Sequence, residues 1–179
     1  MAGEANVAPV AGAPLIRPAT AADADSIGRV QVETWRTAYR GLLPDEVVDA
    51  FDVEARQRMW QEGLSRPLRP ESAVVVAEVD GEVVGFASTG TCRDEDGPGE
   101  LFAIYLDPRC WSTGVGRLLL RAAEEAMRTA GFSEGRLWVI EGNERAERFY
   151  RAGGWVEDGR KVDEFQGAEV VELRYSKRL

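Results

Sequence analysis

The apolar run Leu101 to Leu106, followed by the turn Trp111-Ser112-Thr113-Gly114-Val115-Gly116, narrows what this chain can fold into more than any other stretch. Unbroken apolar residues of that length read as a buried strand, while Val115, Leu118, Leu119, Ala122, Ala123, Ala126 and Met127 recur at helical spacing and predict a helix over about Gly114 to Ala130. A strand, a tight turn and a helix start together form an anion cradle. Glycine has no Cβ, so a ligand can reach the main chain, and the first-turn amides lie at the positive end of the helix dipole with no intrahelical partner. A pyrophosphate suits such a cradle. By its turn chemistry alone the segment is equally an ordinary strand-to-helix connection.

The flanking pattern predicts alternating strands and helices. Leu15 to Arg17 is a first strand stopped by Pro18, and Thr20 with Asp23 is a capping-box start for a helix carrying Ile27, Val30, Gln31, Trp35 and Ala38. One helical region is expected from Pro44 to Leu64, closed by the Pro67 to Pro70 linker. Ala73 to Val79 and Glu82 to Ser88 flank Asp80-Gly81, a strong hairpin signal, and the acidic loop Arg93 to Gly99 leads into the strand Glu100 to Leu106. Later come a strand at Arg136 to Ile140, a helix at Ala146 to Ala152 between Asn143 and Gly153, and two strands near Trp155 to Glu157 and Val170 to Tyr175. Residues 1–13 are expected to be a disordered leader and 14–179 a single domain, with no repeat.

Composition removes several classes of function. There is no histidine, and the two cysteines are Cys92 and Cys110, so the common zinc sets and the Ser-His or Cys-His nucleophile pairs are missing and no metal is expected. A net charge of −9 argues against a nucleic-acid partner and mildly favours a cationic one. No run reaches membrane-spanning length and the start has no secretory pattern, so a cytoplasmic protein without a membrane partner is expected.

Two segments carry a family resemblance. The turn Trp111 to Gly116 and the stretch Asn143-Glu144-Arg145-Ala146-Glu147-Arg148-Phe149-Tyr150-Arg151-Ala152-Gly153-Gly154-Trp155 resemble motifs of the GNAT superfamily of acyl-CoA-dependent N-acetyltransferases. The family motifs read Gln/Arg-x-x-Gly-x-Gly/Ala and, roughly, Asn-x-x-Ala-x-x-Phe-Tyr-x-x-x-Gly-Phe. The opening Ile16-Arg17-Pro18-Ala19-Thr20-Ala21-Ala22-Asp23 is also similar to a family start, so the resemblance runs from about Leu15 to Tyr175. Trp111, Ser112 and Thr113 depart from the frequent Gln or Arg, Gly, and Lys or Arg, which leaves more of the phosphate binding to backbone amides.

This resemblance implies an α/β (α+β) fold: a mixed, mostly antiparallel twisted sheet of about seven strands flanked by about four helices, with the fourth strand splayed from the fifth. It implies acetyl-CoA as cosubstrate, held by the backbone of Ile104, Tyr105 and Leu106, by Trp111, Ser112, Thr113, Gly114, Val115, Gly116 and Arg117, and by Asn143, which equally caps a helix. Glu100 becomes a candidate base, against its plain reading as a solvated carboxylate at a strand start. Tyr150 becomes a candidate acid for the coenzyme A sulfur, against core packing beside Phe149. Trp35 and Tyr39, one helical turn apart, either line an acceptor pocket or pack in the core. The function implied is direct transfer of an acetyl group to an amine in a ternary complex; the competing reading is a non-catalytic acyl-CoA-binding module. A Rossmann-type nucleotide binder fits poorly because Leu119 stands where the third glycine of that fingerprint belongs. An exposed terminal strand makes a homodimer reasonable.

Overall fold

The computed structural model describes residues 12–165 and 167–179, so the leader expected over residues 1–13 falls almost wholly outside the described part. Seven strands form one sheet in the order β1-β2-β3-β4-β5-β7-β6: β1 (Leu15–Pro18), β2 (Ala73–Val79), β3 (Glu82–Thr91), β4 (Gly99–Leu106), β5 (Glu134–Ile140), β6 (Val156–Phe165) and β7 (Ala168–Arg178). Only β4 and β5 run parallel; every other neighbouring pair is antiparallel. The Asp80-Gly81 hairpin forms as expected, with φ of 52° and 81° at its two corner residues, the left-handed pair that a two-residue turn between twisted strands requires.

Among the described residues, five α-helices cover the two faces: α1 (Ala24–Tyr39), α2 (Asp45–Asp49), α3 (Val53–Leu64), α4 (Val115–Thr129) and α5 (Glu144–Ala152). The single helical region expected from Pro44 to Leu64 is therefore two helices. Asp52 separates them: its side chain accepts from the Ala55 amide at 2.8 Å and so starts α3 afresh, while Phe51 turns inward and is buried. α1 and α3 lie close because Gly28 faces the Gln57 backbone, where a Cβ would stand 2.7 Å from the Gln57 nitrogen. Gln31, polar on a buried stripe, is satisfied across the same contact by the Trp60 indole at 2.9 Å.

On the opposite face α4 buries Val115, Leu119, Leu120, Ala123 and Met127 against Leu101, Leu137, Val139 and Trp155. The start of α1 is tied to the sheet by Arg17, whose guanidinium spans both oxygens of buried Asp23 at 2.8 Å and reaches Glu78. The capping box read from Thr20 and Asp23 is present, with the Thr20 amide donating to Asp23 at 2.7 Å. β6 and β7 are much longer than expected and form a ribbon at one end of the sheet.

Candidate active site

The parallel pairing of β4 with β5 covers Gly99↔Gly135 and Glu100↔Arg136 and then stops. Beyond it the two strands diverge around a cleft of about 670 Å³, lined by β4 from Leu101 to Leu106, by Trp138 and Val139 of β5, by Ala38 and Tyr39 of α1, and by the starts of α4 and α5. A bulge bends β4 at the mouth of this opening. Ser88 pairs with Ala103 and Thr89 with Leu101, which leaves Phe102 as the extra residue.

The free edge is narrower than the sequence suggested. The Asp107 amide donates to the Val84 carbonyl at 2.7 Å, and alternation along an antiparallel ladder then turns the backbone of Tyr105 toward β3 and that of Ile104 and Leu106 toward the cleft. Leu106 is partly used already, because its carbonyl accepts from Trp111 Nε1 at 2.8 Å and Thr34 Oγ1 at 3.0 Å. Ile104 is left as the residue with main-chain groups directed into the gap, and Tyr105 contributes its ring.

At one end of the cleft lies the glycine turn. Ser112 and Gly114 both take positive φ, 63° and 95°, and Thr113 Oγ1 pins the turn by donating to the Cys110 carbonyl at 2.6 Å. Gly114 is the N-cap of α4 and offers no side chain to the first-turn amides, which stay open to a ligand. Gly116 lines the cleft, but its missing Cβ would point at Leu106 and Phe149, 3.5 Å away, and not into the open cradle. Val115 is buried in the core, and Ser112, Thr113 and Arg117 are exposed around the turn.

Tyr150 sits on the inner face of α5, 8% exposed, with its ring against Phe149, Trp155 and Tyr175 and its hydroxyl making no hydrogen bond among the described residues. Burial, helped by nearby Tyr39, pushes that hydroxyl well above its ordinary value, so it holds its proton at neutral pH. Burial likewise pushes Tyr39 up to about 12, and its hydroxyl meets the Asn143 side chain. Asn143 also caps α5, accepting from the Ala146 amide at 3.2 Å, so the capping role is present in a residue that lines the cleft.

Two of the residues singled out from sequence lie elsewhere. Trp35 is buried under a stack of Phe51, Tyr39 and Phe165 and belongs to the packing between α1, α2 and β7, although Tyr39 one turn on reaches the cleft. Glu100 is not a solvated strand-start residue: it is 1% exposed. Nor does it line the cleft, because Arg93 holds it. The Arg93 amide donates at 3.0 Å, Nε reaches both oxygens at 3.1 and 3.2 Å, and Nη2 closes on Oε1.

A splayed β4–β5 pair, a bulge at the split and an uncapped helix N-terminus beside it are joined by a family match: residues 32–154 fit the model described as the acetyltransferase (GNAT) family. The chain belongs to this family. Among its GNAT relatives, the uncharacterized N-acetyltransferase YuaI of Bacillus subtilis is 35% identical over 130 residues, 72% of each chain. A spermidine N(1)-acetyltransferase of Thermoplasma acidophilum is 24% identical over 163 residues, 89% of this chain and 96% of the relative. Among solved GNAT structures, a ribosomal-protein-alanine N-acetyltransferase from Brucella melitensis superposes with a TM-score of 0.71 at 27% identity, over 92% of this chain and 99% of that one. The PaiA N-acetyltransferase of Thermoplasma acidophilum, solved with coenzyme A, has the same fold at a TM-score of 0.68 and 23% identity, over 93% and 99% of the two chains.

The GNAT cleft also recruits residues that sequence reasoning passed over. Arg145 stacks its guanidinium 4.1 Å above the Trp111 ring, and with Arg117 and Arg148 it puts three cations around the end of the cleft beside the glycine turn. Arg145 and Arg148, three apart on one helix, were the available signal. At the other end Phe102 and Trp138 add aromatic walls, and Trp138 Nε1 donates to Asp94 at 2.8 Å.

Proposed function

We propose that this protein moves an acetyl group from acetyl-CoA to an amine by direct transfer in a ternary complex. One observation carries the reading: the cleft runs from the open N-terminus of α4 to Tyr39, Phe102 and Trp138, with the unpartnered Tyr150 hydroxyl inside it. That layout admits a long phosphate-bearing thioester from one end and an acceptor from the other. The amides of the α4 first turn, with Arg117 and Arg145, would hold the pyrophosphate; Ile104 would pair with the peptide-like arm along the free edge of β4. Arg145, stacked on the Trp111 ring, would supply the side-chain donor that the family motif carries there, since the Trp111 N–H is taken by the Leu106 carbonyl.

In the transfer step the amine nitrogen attacks the thioester carbonyl, the C–S bond breaks, and the departing thiolate takes the Tyr150 proton, while the nitrogen passes one of its own to the Glu100 carboxylate and exchange with solvent returns it to the Tyr150 oxygen. Direct transfer is favoured because Cys110 is buried behind the turn, outside the cleft, where burial pushes its thiol up, away from the nucleophilic form. Glu100 faces the α1 side of β4, since its neighbour Gly99 turns toward Phe132 and Met127 on the α4 side. Proton removal at Glu100 therefore goes with release of Arg93. The aromatic rings at the acceptor end, Tyr39, Phe102 and Trp138, suit a cationic amine, and one relative is named for spermidine.

Titration with coenzyme A tests the reading together with thiol release over a panel of amines and mass spectrometry of the products. Binding with a rise in melting temperature and an acetylated product supports it. Binding without turnover on any amine supports a non-catalytic acyl-CoA-binding module, and no binding at millimolar coenzyme A refutes both.

A further inference from the structure

The Arg93–Glu100 pair is lopsided. The carboxylate is 1% exposed while the Arg93 side chain is 67% exposed. A buried carboxylate needs a countercharge, and here it is supplied from outside by a side chain with little to lose on returning to water. Asp94 and Glu172 lie near enough to add their negative field to that of Glu100 at Arg93. Its guanidinium lies 5.0 Å from the centre of the Phe102 ring, so the ion pair backs onto the wall of the cleft at the β4 bulge. Glu100 precedes Phe102 by two residues on the same strand, about 7 Å along it.

The segment carrying Arg93 is a short strap between β3 and β4. It is closed by the Cys92 amide on the Pro98 carbonyl at 3.1 Å, turns at Gly97 with φ of 112°, and is tacked to β5 through Asp94 on Trp138 and Glu95 on Arg136. These ties hold the strap without drawing on the Arg93 guanidinium, which among the described residues is hydrogen-bonded to Glu100 alone. An ammonium entering past Phe102 carries the same charge as the guanidinium and offers N–H donors to the same two oxygens.

We propose that Arg93 is a resident cation that keeps the place of the acceptor ammonium on Glu100, and that a protonated amine binds by exchanging with it. The inference rests on the acetyltransferase reading and names the regulation of its acceptor end: the pair raises the concentration at which cationic acceptors fill the site and gives Glu100 a hydrogen-bonded countercharge in their absence. A neutral amine cannot make the exchange.

The test compares wild type with Arg93→Ala and Arg93→Lys, using an alkylamine acceptor found active on wild type, guanidinium ion at non-denaturing millimolar concentration, and calorimetry on the coenzyme A complex. Removal of the competing charge-assisted bonds lowers the acceptor KM about tenfold or more in Arg93→Ala and by less in Arg93→Lys, with the KM for acetyl-CoA unchanged. Guanidinium then refills the vacated place: it binds Arg93→Ala calorimetrically and competes with the amine, not with acetyl-CoA, while wild type is unaffected. In a Glu100→Gln background, neither Arg93→Ala nor guanidinium changes acceptor binding. An acceptor KM that stays level or rises in Arg93→Ala, with no guanidinium binding, overturns the proposal. If Arg93→Ala does not fold, Arg93→Lys and the Glu100→Gln background decide it by the same readouts. Failure of the acetyltransferase reading is seen separately, as absence of turnover in wild type, and guanidinium binding to Arg93→Ala needs no turnover at all.

Discussion

Replacing Tyr150 by Phe removes one oxygen from the cleft and nothing else. The hydroxyl has no hydrogen-bond partner among the described residues, and the ring contacts with Phe149, Trp155 and Tyr175 are those a phenylalanine keeps. Stability should therefore stay within about 0.5 kcal/mol of wild type, the range of substitutions that break no native interaction. Turnover should not. Loss of a positioned acid costs on the order of a hundredfold, which corresponds to about 2.7 kcal/mol in the barrier. Because the proton is needed as the thiolate departs, kcat should fall while the KM for acetyl-CoA changes little. Burial holds the wild-type hydroxyl protonated well past its ordinary value, so no loss of kcat from its ionisation is expected between about pH 7 and 10. Urea melts, coenzyme A titration and a chemistry-limited thiol-release assay measure the three quantities. Full turnover in a stable, cofactor-binding Tyr150→Phe variant would make Tyr150 a packing residue, and a kcat loss matched by lost stability would be a folding effect.

Other expectations follow from the same contacts. The hydrogen bonds from Arg17 hold Asp23 at about 2 against an ordinary 3.8, which stabilises the native state by about 2 kcal/mol. That contribution is full above pH 4 and lost as pH falls through 2, so Asp23→Asn should be destabilised at pH 7 and match wild type near pH 2 in urea melts. Gly114→Ala forces a Cβ onto a residue at φ of 95° with open space around it, at a cost of about 1–2 kcal/mol. It should raise the Kd for coenzyme A several-fold by tilting the first-turn amides, with calorimetry as the check. Glu124, 4% exposed, accepts from Trp155 Nε1 at 2.9 Å and Lys177 Nζ at 2.8 Å. Glu124→Ala strands the Trp155 donor and leaves Lys177 Nζ with the Gly153 carbonyl, and should cost about 2–3 kcal/mol in a denaturant melt.

The glycine turn, the Asp80-Gly81 hairpin and the Thr20–Asp23 cap were legible because each is fixed by neighbours within a few residues. The split between β4 and β5 came from the family resemblance, since a strand with one open edge has the same apolar run as a fully paired one. Trp35 and Tyr39 share a helix stripe, and only the position of Phe51 and Phe165 decides that the first packs and the second reaches the cleft. The burial of Glu100 was not legible because its partner arrives across a loop, through a tertiary contact that spacing does not encode. β6 was read short for a different reason. From Val156 to Phe165 it carries Glu157, Asp158, Arg160, Lys161, Asp163 and Glu164, the charged composition of an edge strand, so no alternating apolar signal survives.

The unpaired stretch of β4 gives the molecule an internal clock of its own occupancy. Past Glu100↔Arg136, the Ile104 amide is bonded to neither neighbouring strand and should trade its hydrogen for deuterium quickly, while that of Tyr105, bound to β3, trades slowly. A molecule lying in the gap along β4 acts as the missing strand and slows the first without touching the second. The ratio of two adjacent amides therefore reports filling of the cleft residue by residue.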